Sequence, residues 1–181
     1  MALIPFRGIM PRIAGDVFIA EGAQIIGDVT IGSGSSVWYN TVIRGDVASI
    51  TIGRNVNVQD NSTIHVGRGK PAVIYDNVSI GHWAVVHGCT VEEGAMIAIH
   101  ATVLSGAVIG ARSIVGAGAM VGERKTIAPR CLAVGVPARV SRELTDDDVD
   151  GVTRTAQRYS QLAKEHMEAS DASATDGLDR E

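Results

Sequence analysis

A six-residue period runs through most of this chain and leaves few folds open to it. Stepping by six from Ile13 gives Ile19, Ile25, Ile31, Val37 and Ile43. Three extra residues, Ser49, Ile50 and Thr51, shift the phase, which resumes at Ile52, Val58 and Ile64. Four more lead to Ile74, Ile80 and Val86, and one five-residue step then gives Val91, Ile97, Val103, Ile109, Val115, Val121 and Ile127. All 19 of these positions are Ile or Val, although the chain of 181 residues holds only 18 Ile and 22 Val. Chance does not produce that register. β-Branched residues suit a pleated surface and lower helix propensity. Gly often follows the aliphatic residue (Gly32, Gly53, Gly81, Gly110, Gly116, Gly122), and small residues such as Ala84, Ala95 and Ala101 stand four after it. The pattern predicts a β-helix built on six-residue repeats, taken with one repeat to a face and three to a coil. Coils then stack at about 4.8 Å and bury an aliphatic ladder along the axis.

The ladder ends after Ile127, and Pro129 and Pro137 punctuate the exit. Thr145 followed by Asp146, Asp147 and Asp148 reads as a helix N-terminus, with acids at the positive end of the macrodipole. Val149, Val152, Ala156, Tyr159, Ala163 and His166/Met167 recur at helical spacing and mark one packed face. The expected organisation is a β-helix domain over residues 1–140, a helix packed on it over 141–168, and a disordered acidic tail over 169–181.

Composition narrows the setting. Cys89 and Cys131 make no disulfide framework, and the N-terminus, broken by Pro5 and Arg7, is no signal peptide. No apolar run approaches the roughly 18 residues of a membrane span. A cytoplasmic protein with no membrane association is expected. Residues 143–181 carry 11 of the 20 acids and four of the 16 Lys/Arg, leaving residues 1–142 with nine acids and 12 bases. That mild excess favours a small anion, but no basic cluster interleaved with aromatics marks a nucleic-acid surface.

The histidines acquire meaning from the period. His65 follows Ile64 and His87 follows Val86, and counting faces puts these two at equivalent positions on adjacent coils. Their imidazoles are then near enough to share a metal. His82, two after Ile80, falls on a different face and reaches such a metal only if a neighbouring copy holds it. Three prisms about a threefold axis would create three interfacial sites, each of three histidines with an open fourth position. A lone histidine on a β-helix is more often a surface group, which is the reading for His100 and His166.

Three segments resemble the signature segments of gamma-class carbonic anhydrases and their close relatives: IRGD at Ile43–Asp46, NVNVQDNSTIH at Asn55–His65 and SIGHWAVVHGC at Ser79–Cys89. They occur in the family's order, and the resemblance spans about residues 10–167. It implies a left-handed parallel β-helix with a C-terminal helix, assembled as a homotrimer with zinc (or iron or cobalt) between subunits. It implies that His65, His82 and His87 are the metal ligands. Arg44 and Asp46 match an inter-subunit ion pair with Asp60 in the same network; Gln59 matches the residue that orients a metal-bound hydroxide, with Asn57 beside it. The implied activity is reversible hydration of carbon dioxide to bicarbonate by that hydroxide. Position counting adds that Asp60 stacks one coil below His82, and Arg44 one coil below His65. A purely structural ring of ion pairs is the alternative role for Arg44, Asp46 and Asp60.

The chain departs from the family's most active archetype where glutamates pass protons to solvent. Val47 follows Asp46, and the loop Val66–Val73 contains no acid, so proton export is expected to be slow and activity weak. His100 is the nearest spare imidazole, read as a surface group before a shuttle. Cys89 is read as a core or supporting thiol, not a fourth ligand. Three alternatives compete: a metal-dependent thioesterase-like relative acting on CoA esters, a hexapeptide acyltransferase, and a metal-binding but non-catalytic trimeric scaffold.

Overall fold

The computed structural model describes residues 2–176, with side chains through residue 169. The 19 ladder residues sort into three columns, one per face. On the first face, Ile25, Ile43, Ile64, Val86, Val103 and Val121 pair in parallel register, coil on coil. The second stacks Ile13, Ile31, Ile52, Ile74, Val91, Ile109 and Ile127. The third stacks Ile19, Val37, Val58, Ile80, Ile97 and Val115. All but Ile13 and Ile19, in the first coil of the stack, are buried. The architecture is therefore the mainly β, hexapeptide-repeat β-helix with one C-terminal helix that the period predicts. The insertions after Ile43 and Ile64 and the short step after Val86 leave the columns in register, because each is absorbed at a corner.

Two long strands, Gln24–Ile31 and Val42–Ile52, run across one corner and join the first two faces into a 12-stranded sheet, while the third face is a separate 8-stranded sheet. The crossing needs glycine: Gly27 sits at φ +75, and a Cβ there would lie 2.5 Å from the Gly45 carbonyl oxygen. Another corner stacks Asn40, Asn61, Trp83 and His100, all in the left-handed region. The Trp83 amide donates to the Asp60 carbonyl and the His100 amide to the His82 carbonyl, so each corner hangs on the coil below. Asn tolerates that conformation; a bulky Trp rarely adopts it.

At the C-terminal end, Cys131–Val134 adds to the third face and Arg139–Glu143 folds back on it antiparallel. Thr145 then caps the helix Asp146–Asp176: its Oγ1 accepts from the Asp148 amide, and Asp148 Oδ2 accepts from the Thr145 amide at 2.8 Å. Arg142 adds a two-armed ion pair to Asp148, and its hydrogen bonds hold that carboxyl well below the usual carboxylate range. The helix lies along the third face and buries Val152, Ala156 and Ala163. Phe18, Ala20 and Trp38 meet it in a second apolar cluster with Tyr159, Leu162 and Met167. It runs on past residue 168, where the sequence reading begins a disordered tail. Elongating a formed helix through residues such as Ala169, Ala172 and Ala174 costs no new nucleus. Residues 177–181 of that expected tail lie outside the described residues.

Truncating a column should cost far more than removing the cap. Ile80→Ala should lower stability by about 2–5 kcal/mol, and Thr145→Ala by about 1 kcal/mol, both read from urea unfolding midpoints. An Ile80→Ala loss no larger than the cap's would show that the columns are not the core.

Candidate metal centre

The centre is built on the outward side of the first face. Strands Val42–Ile52, Thr63–His65 and Val85–His87 pair with Arg44 opposite His65 and His65 opposite His87. Side chains on a strand alternate, so with Ile43, Ile64 and Val86 in the core, Arg44, His65 and His87 all point outward in one column. The His65 and His87 rings stand 5.1 Å apart, and His65 Nδ1 lies 3.2 Å from His87 Nε2. Two nitrogens bound tetrahedrally to one zinc at about 2.0–2.1 Å must lie about 3.3 Å apart. The pair as folded meets that requirement.

Each ring is also held from behind. His65 Nε2 lies 3.0 Å from Asp46 Oδ1, and His87 Nδ1 lies 2.8 Å from Ser105 Oγ. Burial works to raise the Asp46 carboxyl, but hydrogen bonds from His65 and Arg44, and the Arg44 charge, outweigh it and hold it below the usual range. An ionised Asp46 only accepts, so the proton of His65 sits on Nε2 and the Nδ1 lone pair faces His87. Burial first, and then the adjacent His65, keep His87 below the ordinary imidazole value of 6.5, so it is neutral near pH 7 as a ligand must be.

His82 belongs elsewhere in the chain, as the face count anticipates. It stands where the third face turns into the first, with Asp60 in register below it and Asp60 Oδ2 2.8 Å from its Nδ1. Its Nε2 lies 3.2 Å from the hydroxyl of Tyr159 on the C-terminal helix. Burial, then the charge of Asp60, push the Tyr159 phenol up, so it stays a donor to that nitrogen. Among the described residues, no group of three His, Cys, Asp or Glu side chains within this chain is arranged to hold a metal. The chain itself offers two nitrogens in one place and a third in another.

The neighbouring polar residues follow the same division. Gln59 and Asn57 are buried on the outer side of the third face, where Gln59 Nε2 donates to Asn57 Oδ1 and Asn57 Nδ2 donates to Ser79 Oγ. Gln59, His82, Ile99, Thr155 and Tyr159 line a cavity of about 280 Å³. A larger groove of about 690 Å³, between the helix and the Asn55–Asn77 corner, contains none of these histidines. Arg44 pairs with Asp46 inside the chain, because two outward residues on one strand with Gly45 between them meet directly. Asp60 joins His82 on its own face, apart from that pair. His100 stacks on the exposed ring of Trp83, 5.9 Å between centroids and 6° from parallel. Cys89 is a core residue whose thiol burial pushes up to about 12, which removes it as a ligand or nucleophile.

Sequence reasoning missed two contributors. Ser105 carried no clean signal, since the coil above His87 is 17 residues long and puts Leu104 in register with it, one residue before Ser105. Tyr159 appeared only as one member of the packed helical face, and no spacing links it to His82.

A family model described as "Bacterial transferase hexapeptide (six repeats)" matches residues 10–45 and 88–123. The "Probable carbonic anhydrase" of Methanocaldococcus jannaschii is 57% identical over 84% of this chain and 96% of its own length. The carbonic anhydrase of Geobacillus kaustophilus is 45% identical over 87% of this chain and 86% of its own. Gamma carbonic anhydrase 2, mitochondrial, of Arabidopsis thaliana is 41% identical over 86% of this chain, which spans 58% of that longer protein.

The depressed His87 value has a sign that can be read. Protonation is harder in the folded chain than in the unfolded one, so this group's contribution is full above about pH 6.5 and is lost as pH falls below it. In metal-free protein, an NMR titration should place His87 below 6.5, and His65→Ala should move it upward by removing both the neighbour's charge and some burial. A midpoint at or above 6.5 in the parent protein would contradict the site's electrostatics.

Proposed function

We propose that this chain, which belongs to the gamma-class carbonic anhydrase family, is itself a carbonic anhydrase that hydrates carbon dioxide reversibly to bicarbonate. The carrying observation is the division of nitrogens: a preformed His65/His87 pair at tetrahedral spacing, with His82 held on another face. A homotrimer completes the site, with His65 and His87 from one chain and the partner's His82 as third ligand. Zinc is the metal that this donor set suits best, with iron or cobalt as the other candidates. When bound in such a site with an open fourth position, the metal lowers the pKa of water from 15.7 to about 7 and so supplies a nucleophile near neutral pH.

The chain's own residues do the rest. Asp46 fixes the tautomer of His65, and Asp60 does the same for His82, leaving Nε2 to face outward. Tyr159 now contacts that nitrogen, and a metal held by the neighbouring copy would have to displace it. Asn57, anchored by Ser79, tethers Gln59 in the cavity beside His82, where its amide orients the reacting oxygen. Arg44, clamped by Asp46, places a positive charge on the column where bicarbonate forms. Proton export is the weak step: Val47 and the loop Val66–Val73 offer no carboxylate, and Tyr159 keeps its proton. Turnover then depends on buffer taking the proton directly. The free, buried thiols of Cys89 and Cys131 fit a reducing compartment, the cytoplasm.

A second reading is action on a CoA thioester at the same centre, since a metal-bound hydroxide can attack a thioester carbonyl as well. Metal-dependent loss of acetyl-CoA without carbon dioxide hydration would select it. Metal retention with neither activity would select a scaffold.

The test pairs metal analysis with stopped-flow hydration on wild type and His82→Ala. Wild type should be a trimer with about one metal per chain, and the variant should lose both metal and hydration. A variant that keeps full metal content would overturn the shared site.

A further inference from the structure

Above His87 the outward column position is held by Leu104, and the turn residue Ser105 follows it. One coil higher, Ser105 is 6% exposed and its Oγ stands 2.8 Å from His87 Nδ1, closing a chain of contacts that begins at Asp46. The protons in that chain can be counted. With His65 in its neutral form, Asp46 accepts from Nε2 and Nδ1 is a bare lone pair. At 3.2 Å from it, His87 Nε2 must donate; two facing lone pairs at that distance would repel. In the metal-free chain His87 therefore carries its proton on Nε2, its Nδ1 is bare, and Ser105 donates to Nδ1. A cation between the two rings needs the opposite arrangement: a lone pair on His87 Nε2, the proton on Nδ1, and Ser105 as acceptor.

A hydroxyl serves both arrangements by rotating about its C–O bond, whereas a backbone N–H can only donate and a carboxylate can only accept. We propose that Ser105 is a positioning residue that switches the tautomer of His87, donating to Nδ1 in the empty site and accepting from Nδ1 once a divalent cation is bound. The exchange is balanced: one proton leaves Nε2, one arrives at Nδ1, and His87 stays neutral with no net proton released from it. The inference rests on the proposed use of His65 and His87 as ligands, and it adds a residue that acts through one of them.

Two measurements test it on the full chain. The first is nitrogen-15 NMR of the His87 imidazole in wild type, without zinc and after zinc is added. The proton should reside on Nε2 in the empty site and on Nδ1 in the loaded one; Nδ1 protonation in both states would overturn the switch and needs no variant to show it. The second is competition for zinc against a chromophoric chelator. Ser105→Ala, which leaves the Nδ1 proton without an acceptor, should weaken zinc binding by about 10–100-fold, and Ser105→Thr should restore it. Equal affinity for wild type and Ser105→Ala would overturn the role of Ser105 while leaving the metal site standing. Wild type that fails to bind zinc at all would instead remove the proposed function, and this inference with it.

Discussion

Parallel stacking of coils in strict register is the constraint on which everything else here depends. Each coil closes its backbone hydrogen bonds on the next, and each face drops one Ile or Val into a common core. Because side chains alternate on a strand, burying Ile64 and Val86 forces His65 and His87 outward and one above the other. A one-residue slip would turn both histidines into the core and put the aliphatic ladder in water. The energy that specifies the proposed metal centre is therefore hydrophobic: the columns set the register, and the register sets the 3.2 Å approach of two nitrogens. Glycine at the crossing corner and asparagine at the left-handed corners allow the chain to turn without disturbing that stack.

The polar residues refine a geometry that the core supplies. Asp46 and Asp60 each take one nitrogen of a histidine and so determine which nitrogen remains for a ligand. The two carboxylates serve different faces. The C-terminal helix contributes as well. By covering the third face it buries Asn57 and Gln59, so their hydrogen bonds form out of water, and it carries Tyr159 to His82. The surface that holds the chemistry is thus part β-helix edge and part helix.

Much of this was legible in the sequence because the fold repeats. The positions of all the ladder residues, the stacking of Arg44 under His65 and of Asp60 under His82, and the separation of His82 from the other two histidines follow from counting. What escaped counting involves contacts between elements of different period, or side-chain detail. The helix has a period of 3.6 residues and docks on a repeat of six, so nothing in the spacing ties Tyr159 to His82. The contact of Arg44 with Asp46 inside the chain depends on two side chains flanking Gly45 on one strand.

The central claim is that neither copy of the chain alone completes the metal centre, and subunit mixing tests it most directly. His82→Ala retains the His65/His87 face, while the double variant His65→Ala/His87→Ala retains His82. Each alone should be metal-free. Unfolded together in equal amounts and refolded as mixed trimers, they should recover zinc at about a quarter of the interfaces, those where an intact pair meets an intact His82. No recovery of zinc in mixtures shown by mass to contain both chains would contradict a centre shared between subunits.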